Sequence, residues 1–203
     1  MKEAEFYINK LKYIEGASNA EIDFIQPVMR RRMSALDRAA AACLFDCFDN
    51  NIQNIIFASK TGEVERLISI IEQYMTENAV SPAAFSGSVH NYAAGMFLMN
   101  IQKSIPYTAL SAGDETFAAG LFAAAVSKYS NVLYVYSDIE NEKHVSLCLN
   151  ISKNKLENSK KFKIELAGFT KTSPALKDYS KLFSDIIKTV KTQNYTVSRG
   201  FDD

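Results

Sequence analysis

Pro106-Tyr107-Thr108-Ala109-Leu110-Ser111-Ala112-Gly113-Asp114-Glu115-Thr116-Phe117-Ala118-Ala119-Gly120 reads as a strand, a sharp glycine turn and the start of an alanine-rich helix. In many α/β enzymes this order of elements presents a nucleophile at a helix N-terminus, where the dipole stabilises a thiolate. Here the turn offers Gly113, Asp114 and Glu115 instead. On spacing alone, Asp114 or Glu115 reads as a helix cap.

Strands and helices alternate on either side of that stretch. Phe6 to Ile14 reads as a first strand ending before Gly16. A loop with Pro27 and the run Arg30-Arg31-Arg32 leads to Ser34, a plausible N-cap with Asp37 three residues on. The helix behind it aligns Leu36, Ala40, Cys43, Leu44 and Cys47 on one stripe. Asn54 to Ser59 is a continuous apolar run, the pattern of a strand buried on both faces. Gly62 opens a second helix with Val64, Leu67, Ile68, Ile71 and Met75 expected inward, and a third is expected from about Ser88 to Met99. After the strand from Ile105 to Ser111, a fourth helix runs to near Tyr129. Val132 to Tyr136 and Val145 to Leu149 read as strands across the charged turn Asp138 to Lys143. Phe162 to Leu166 reads as an edge strand, Leu182 to Val190 as part of a last amphipathic helix, and Arg199 to Asp203 as a frayed tail. This alternation predicts an α/β fold in which helices cover a mixed or parallel sheet. Residues 1–203 form a single domain with no repeat or low-complexity linker.

Composition narrows the classes. Lysine plus arginine equals aspartate plus glutamate at 23 each, so no overall charge points to nucleic acid. From Lys153 to Lys191, however, lysines outnumber the acids Glu157, Glu165, Asp178 and Asp185, making a basic surface. Three cysteines, Cys43, Cys47 and Cys148, cannot all pair within one chain and read as small buried hydrophobes in a reducing compartment. No apolar run reaches the roughly 18 residues of a membrane span, and no signal-peptide core follows Met1. A cytoplasmic protein is expected.

Most conventional sites are excluded by the sequence, and a Ser-His-Asp arrangement, which spacing leaves open, has no supporting motif. The chain has no phosphate-cradling glycine motif and no Gly-x-Ser-x-Gly elbow, and neither His90 nor His144 has a partner at metal-ligand spacing. Neither metal nor cofactor is expected. Besides Pro106 to Gly120, the segment Ser81-Pro82-Ala83-Ala84-Phe85-Ser86-Gly87-Ser88-Val89-His90-Asn91-Tyr92-Ala93-Ala94-Gly95 gathers small, polar and aromatic residues ahead of a helix.

At these residues the chain resembles the N-terminal half of the β-ketoacyl synthases, which have the thiolase fold. Phe6-Tyr7-Ile8-Asn9 is similar to their opening strand, and Arg31-Arg32-Met33-Ser34 to their arginine-methionine helix start. Phe57 to Glu63 is similar to their buried strand leading to a glycine, and Ser81-Pro82 through Gly95 to their Ser-Pro…Asn…Ala-Gly segment. The resemblance covers about residues 5–137; residues 138–203 match less well. It is closer still to the short chain length factors of aryl polyene-type clusters, through Ser88 to Asn91 and Ala112 to Gly120.

The resemblance implies an architecture, a thiolase-like half, and a partner. Counted from Pro106, the position of the synthase cysteine falls on Asp114, or on Gly113 if the turn is one residue shorter. The two synthase histidines belong to a C-terminal half this chain lacks, and His90 is neither of them. The implied role is a non-catalytic subunit that pairs with a ketosynthase during polyene or fatty-acid-like elongation, around the strand Ile105 to Ser111. Half of a duplicated fold would leave sheet edges and apolar surface for that partner to cover. Pocket or interface candidates are Phe85, Ser88, His90, Asn91, Tyr107, Thr108, Asp114, Glu115, Thr116 and Phe117; ordinary core packing is the competing reading for Phe85, Tyr107 and Phe117. His90 either bonds neighbouring backbone or orders the dimer loop. The basic tail is either a solvated face or, through Lys160, Lys161 and Lys163, a dock for an acidic acyl carrier protein. Two other classes stay open: an acyl thioester hydrolase or acyltransferase with Asp114 or Glu115 as base and His90 assisting, and a homodimeric acyl-binding protein.

Overall fold

Side-chain alternation on the strands sorts the apolar residues onto two faces of one sheet. In the computed structural model, which describes residues 3–16, 22–140, 142–166, 176–184, 189–191 and 194–200, the strands are β1 (Glu3–Glu15), β2 (Asn54–Ala58), β3 (Tyr107–Leu110), β4 (Asn131–Glu140), β5 (Lys143–Ser152), β6 (Lys160–Leu166), β7 (Thr189–Lys191) and β8 (Tyr195–Arg199). Their order across the sheet is β3-β2-β4-β5-β1-β6-β8-β7. β2 is parallel to both β3 and β4, and the remaining pairings are antiparallel. The helices are α1 (Pro27–Arg30), α2 (Ala35–Cys47), α3 (Val64–Glu77), α4 (Pro82–Ser86), α5 (Tyr92–Ile101), α6 (Thr116–Ala125) and α7 (Leu176–Phe183).

Ile55 and Phe57 of β2, with Leu133 and Val135 of β4, face α2 and α5. Ile56, Ala58, Tyr134 and Tyr136 face α6 and α7. β1 changes allegiance along its length: Phe6 and Ile8 join the α6 side, whereas Ile14 joins the α2 side. Spaced by even numbers, the three would share a face in a regular strand. A bulge between Ile8 and Lys10 inserts one residue against β5 and inverts the remainder of the strand.

α2 begins at the capping box its sequence predicts. The Asp37 amide donates to Ser34 Oγ, and the Ser34 amide to Asp37 Oδ2, each at 3.0 Å. Its small residues let it settle close to the sheet, where the Cys43 thiol donates to Ser146 O at 3.5 Å and the Cys47 thiol to Cys148 O at 3.4 Å. All three cysteines are buried and free.

Several expectations are corrected. α3 forms, but its apolar stripe is not inward: Ile70 is its buried residue, while Leu67, Ile68, Ile71, Tyr74 and Met75 are exposed. The helix expected from Ser88 to Met99 starts later and runs on as α5, Tyr92–Ile101, and the separate short α4, capped by the Ser81 side chain, precedes it. β6 is interior, because β8 and β7 continue the sheet beyond it. α7 ends at Phe183, and Val190 lies in β7. Arg199 closes β8; of the expected tail, residues 201–203 lie outside the described residues.

These last elements replace the open edge expected of half a fold. β6, β8 and β7 extend the sheet past β1, and Tyr179, Leu182 and Phe183 of α7 complete the core on the α6 side. Exposed large apolar side chains concentrate on α3, with Phe85 of α4, Met99 of α5 and Tyr107 of edge strand β3 among the others. Among the described residues no helix is long and apolar enough to cross a membrane.

Candidate functional site

The parallel strands β2, β3 and β4 point their C-terminal ends at one place, the usual location for function in an open α/β sheet. Three segments meet there: the loop Ser59-Lys60-Thr61-Gly62 after β2, the turn from Ser111 to Glu115 after β3, and Asp138 near the end of β4.

Asp138 is buried and gathers the first loop. It accepts from the Ser59 hydroxyl at 3.4 Å, the Lys60 amide, the Thr61 amide at 3.3 Å and the Thr61 hydroxyl at 2.5 Å. The Tyr136 phenol donates to it at 3.3 Å and the Ile139 amide at 2.9 Å. Six donors fill the acceptor capacity of one carboxylate, so Asp138 is a structural anchor rather than a general base. In the sequence Asp138 opens the charged turn to Lys143, whereas in the structure it lies within β4; its position directly after an apolar run is the signal for it.

The anchored loop meets the turn that stands where a synthase carries its nucleophile. Lys60 forms an ion pair with Asp114, and the Ser111 hydroxyl donates to Lys60 O at 3.1 Å. The Asp114 hydrogen bond, followed by its charge, raises the Lys60 pKa. Gly113 takes φ +58°, the left-handed conformation glycine accepts without steric cost, and residues Gly113–Glu115 form a single 3-10 turn. Neither acid caps α6 as the spacing suggests. Asp114 turns outward to Lys60, and Glu115, although at the N-cap position, makes no side-chain cap bond. Thr116 holds the turn instead, accepting from the Ala112 amide at 2.8 Å and donating to Gly113 O at 2.6 Å. Glu115 is buried and accepts from the Asn194 amide at 3.3 Å, tying the C-terminal extension to the turn. Burial, and then the Glu115 charge, push the Tyr179 phenol up.

His90 lies beneath this site. Its Nε2 donates to Leu110 O at 3.2 Å, and its ring meets Phe57 edge-on at 5.9 Å. A Cβ on Gly62 would come within 2.6 Å of His90 Nδ1. The histidine thus bonds a remote strand, not its neighbouring backbone, and holds β3 against the loop after β2. Its contacts do not include Asp114 or Glu115, the pairing that hydrolysis requires.

The other sequence candidates separate. Phe117 is buried against Tyr179 at 4.0 Å, Tyr134 at 5.4 Å and Tyr136 at 5.6 Å, a core aromatic. Phe85 is 63% exposed and Tyr107 39%, and Thr108 is exposed beside Tyr107. Half-buried Ser88 donates from its hydroxyl to Phe85 O at 2.8 Å, and half-buried Asn91 precedes α5 without a side-chain cap bond. Phe85, Val89, Met99 and Tyr107 are exposed as well, so with the stripe of α3 most exposed large apolar side chains fall between Leu67 and Tyr107 in the chain.

The lysine candidates are already engaged in part. Lys161 pairs with Glu5 at 3.2 Å, and Lys163 with Glu3 at 2.9 Å and Glu165 at 2.6 Å. The two glutamates of β1 stand against β6 in register and answer its charge. A separate cleft of about 260 Å³ is lined by Pro27, Arg30, Arg31 and Arg38. Burial pushes the thiols of Cys43 and Cys148 up, away from the thiolate form. Among the described residues no group of His, Cys, Asp or Glu has the arrangement to hold a metal ion.

A sheet of this order, carrying a strand, glycine turn and helix at the C-terminal ends of its parallel strands, is a thiolase-like fold. Residues 8–148 match the β-ketoacyl synthase N-terminal domain, and the chain belongs to that family. The solved complex titled as ketosynthase ApeO with its chain length factor ApeC, from Xenorhabdus doucetiae, contains a chain similar to this one at 20% identity and TM-score 0.75. That match covers 96% of this chain and 99% of the other. The ishigamide ketosynthase/chain length factor is similar at 9% identity and TM-score 0.61, covering 82% of this chain and 66% of that one. A β-ketoacyl synthase from Burkholderia phymatum STM815 is similar at 11% identity and TM-score 0.50, covering 78% of this chain and 54% of the synthase, about half its length. At these identities the likeness is one of fold. No curated protein sequence matches the chain significantly.

Proposed function

We propose that this chain is a non-catalytic, chain-length-factor-like subunit that pairs with a ketosynthase during polyene or fatty-acid-like chain elongation. One observation carries the reading. Between Leu67 and Tyr107 the chain exposes Leu67, Ile68, Ile71, Tyr74, Met75, Phe85, Val89 and Tyr107, and Tyr107 belongs to the edge strand β3. Apolar surface of that kind marks a protein–protein interface, and a free edge supplies backbone donors and acceptors for a partner strand. The family membership and the likeness to ketosynthase/chain length factor complexes support the choice of partner. In this reading Phe85 and Tyr107 shape the partner's acyl tunnel from the interface, whereas Phe117 serves the core.

Chemistry by the chain alone has little support. Asp114 is held by Lys60, Asp138 is saturated, and His90 is engaged elsewhere. An acyl carrier protein is the proposed source of substrate. Lys160, Lys161 and Lys163 remain its proposed contacts, with carrier carboxylates exchanging for the chain's own glutamates at Lys161 and Lys163. The free thiols suit a cytoplasmic setting.

Co-expression with the ketosynthase encoded nearest to it, followed by size-exclusion chromatography and a condensation assay, tests the proposal. A stable complex that elongates carrier-bound substrate, with neither subunit active alone, is the expected result. A stable homodimer with no affinity for a ketosynthase would overturn it in favour of an acyl-binding protein. Thioester turnover by the purified chain, lost in Asp114→Asn, would overturn it in favour of hydrolysis.

A further inference from the structure

α3 carries much of the bare apolar face, yet only Ile70 anchors it by burial. What fastens its first turn to the body is polar. Arg66 donates from Nη2 to Asp37 Oδ2 at 3.1 Å and to Arg32 O at 3.1 Å, and its Nε meets Glu63 Oε2 at 3.1 Å. The same guanidinium lies over the Tyr92 ring of α5 at 5.1 Å, and Gly87 leaves room for it: a Cβ there would come within 1.6 Å of Nη1. Ser34 closes the circle, donating from Oγ to Glu63 Oε1 at 2.8 Å while accepting from the Asp37 amide.

The charges in this cluster do not balance. Two buried carboxylates, Asp37 and Glu63, face one guanidinium, and Asp37 Oδ1 is buried with no donor. Other titratable groups lie around the cluster. His144 of β5 lies 3.8 Å from Glu65 and shares a narrow crevice with Ser34, Gly62, Glu63 and Glu65 that opens beside the pair. Tyr92 is occupied by Arg66, and Arg38, next to Asp37 on α2, donates from its guanidinium to Arg30 O at 3.2 Å. A buried carboxylate without a donor is costly when charged.

We propose that the buried Asp37 carboxyl, with one oxygen left without a donor, carries a proton, and that this proton is a latch setting how firmly α3 and its apolar face are held to α2. Burial and then the Glu63 charge push the Asp37 carboxyl up to about 7, with Ser34 and Arg66 opposing. When the first turn of α3 opens, Asp37 returns to an ordinary carboxylate value and releases the proton. The closed state therefore binds more protons than the open one between that ordinary value and about 7. The latch is tightest in acid, weakens as pH rises toward 7, and is level above it.

Hydrogen–deuterium exchange of the full chain, corrected for intrinsic exchange rates, reads the latch. Protection of residues 64–77 should fall by about tenfold per pH unit from about pH 5 to 7 and then level off. Asp37→Asn, which keeps an oxygen for the Ser34 amide, should flatten that slope. Carbon-13 NMR titration of the Asp37 carboxyl in the unmodified chain gives a second reading, with an expected midpoint near neutrality. An ordinary carboxylate midpoint, or a pH slope that persists in Asp37→Asn, overturns the proposal. The link from latch to pairing rests on the ketosynthase reading. Both measurements use the chain alone, so the latch stands or falls whether or not a ketosynthase binds.

Discussion

Replacing both Ile68 and Ile71 with aspartate should abolish pairing and leave the fold intact. These side chains are 51% and 50% exposed, so about half of each awaits burial. Full burial of an isoleucine contributes about 1.5–3 kcal/mol, which makes the unburied half worth roughly 1 kcal/mol per residue. Losing both costs the complex roughly 2 kcal/mol, or about 30-fold in affinity. Two carboxylates forced into an apolar contact add several kcal/mol of desolvation, taking the loss beyond about 1,000-fold. The isolated chain has little to lose, because substitutions at exposed positions usually fall within about 0.5 kcal/mol, with a few tenths more for aspartate in a helix. Isothermal titration calorimetry against the ketosynthase measures the first effect, and urea denaturation of the chain alone measures the second. Leu156→Asp, at an equally exposed residue away from this face, is the control and should pair normally. Undiminished pairing by the double variant would refute the interface. A loss of more than about 2 kcal/mol in the chain's own stability would show that α3 is packed in solution.

Two further substitutions test the site and its support. Gly120→Ala puts a methyl 2.7 Å from the Tyr134 ring and 3.0 Å from Ala58 Cβ, where helix and sheet meet most closely. Overpacking there should cost about 1–3 kcal/mol by denaturant unfolding, and an unchanged midpoint would show that α6 can lift without penalty. Asp138→Ala strands the Ser59, Lys60, Thr61 and Tyr136 donors together, so a loss of at least about 2 kcal/mol is expected. Rapid amide exchange at residues 59–62 should accompany it, and retained protection there would argue that another acceptor holds the loop.

Local chemistry made much of the fold legible. The Ser34–Asp37 spacing specifies a capping box, the apolar run from Asn54 specifies a strand buried on both faces, and Gly113 marks a turn that requires positive φ. The α3 stripe misled because helical periodicity reports that a face is apolar, not what covers it; a partner's surface and the chain's own core leave the same pattern. Val190 reads as helical in the sequence because a three-residue strand following an amphipathic pattern carries no period of its own. At the site, the turn was identifiable from Pro106 to Gly120, but the Lys60–Asp114 and Asp138 contacts join residues far apart in the chain. Residue type alone could not separate acids that anchor a loop from acids that act on a substrate. Phe117 shows the same limit, since only the packing of Tyr134, Tyr136 and Tyr179 around it assigns the ring to the core.

The four residues of β3 have a consequence for how such a chain is made. Tyr107–Leu110 is hydrogen-bonded to β2 on one side and, among the described residues, has no neighbour in the sheet on the other. The opposite edge is the three-residue β7, which ends in Lys191, a short charged margin that discourages strand addition. Among the described residues, the sheet edge open to strand addition is therefore at the β3 end. In the proposed pairing, any surplus of this chain over its partner would have one outlet, association of like ends, and matched dosage of the two polypeptides would be the cell's protection.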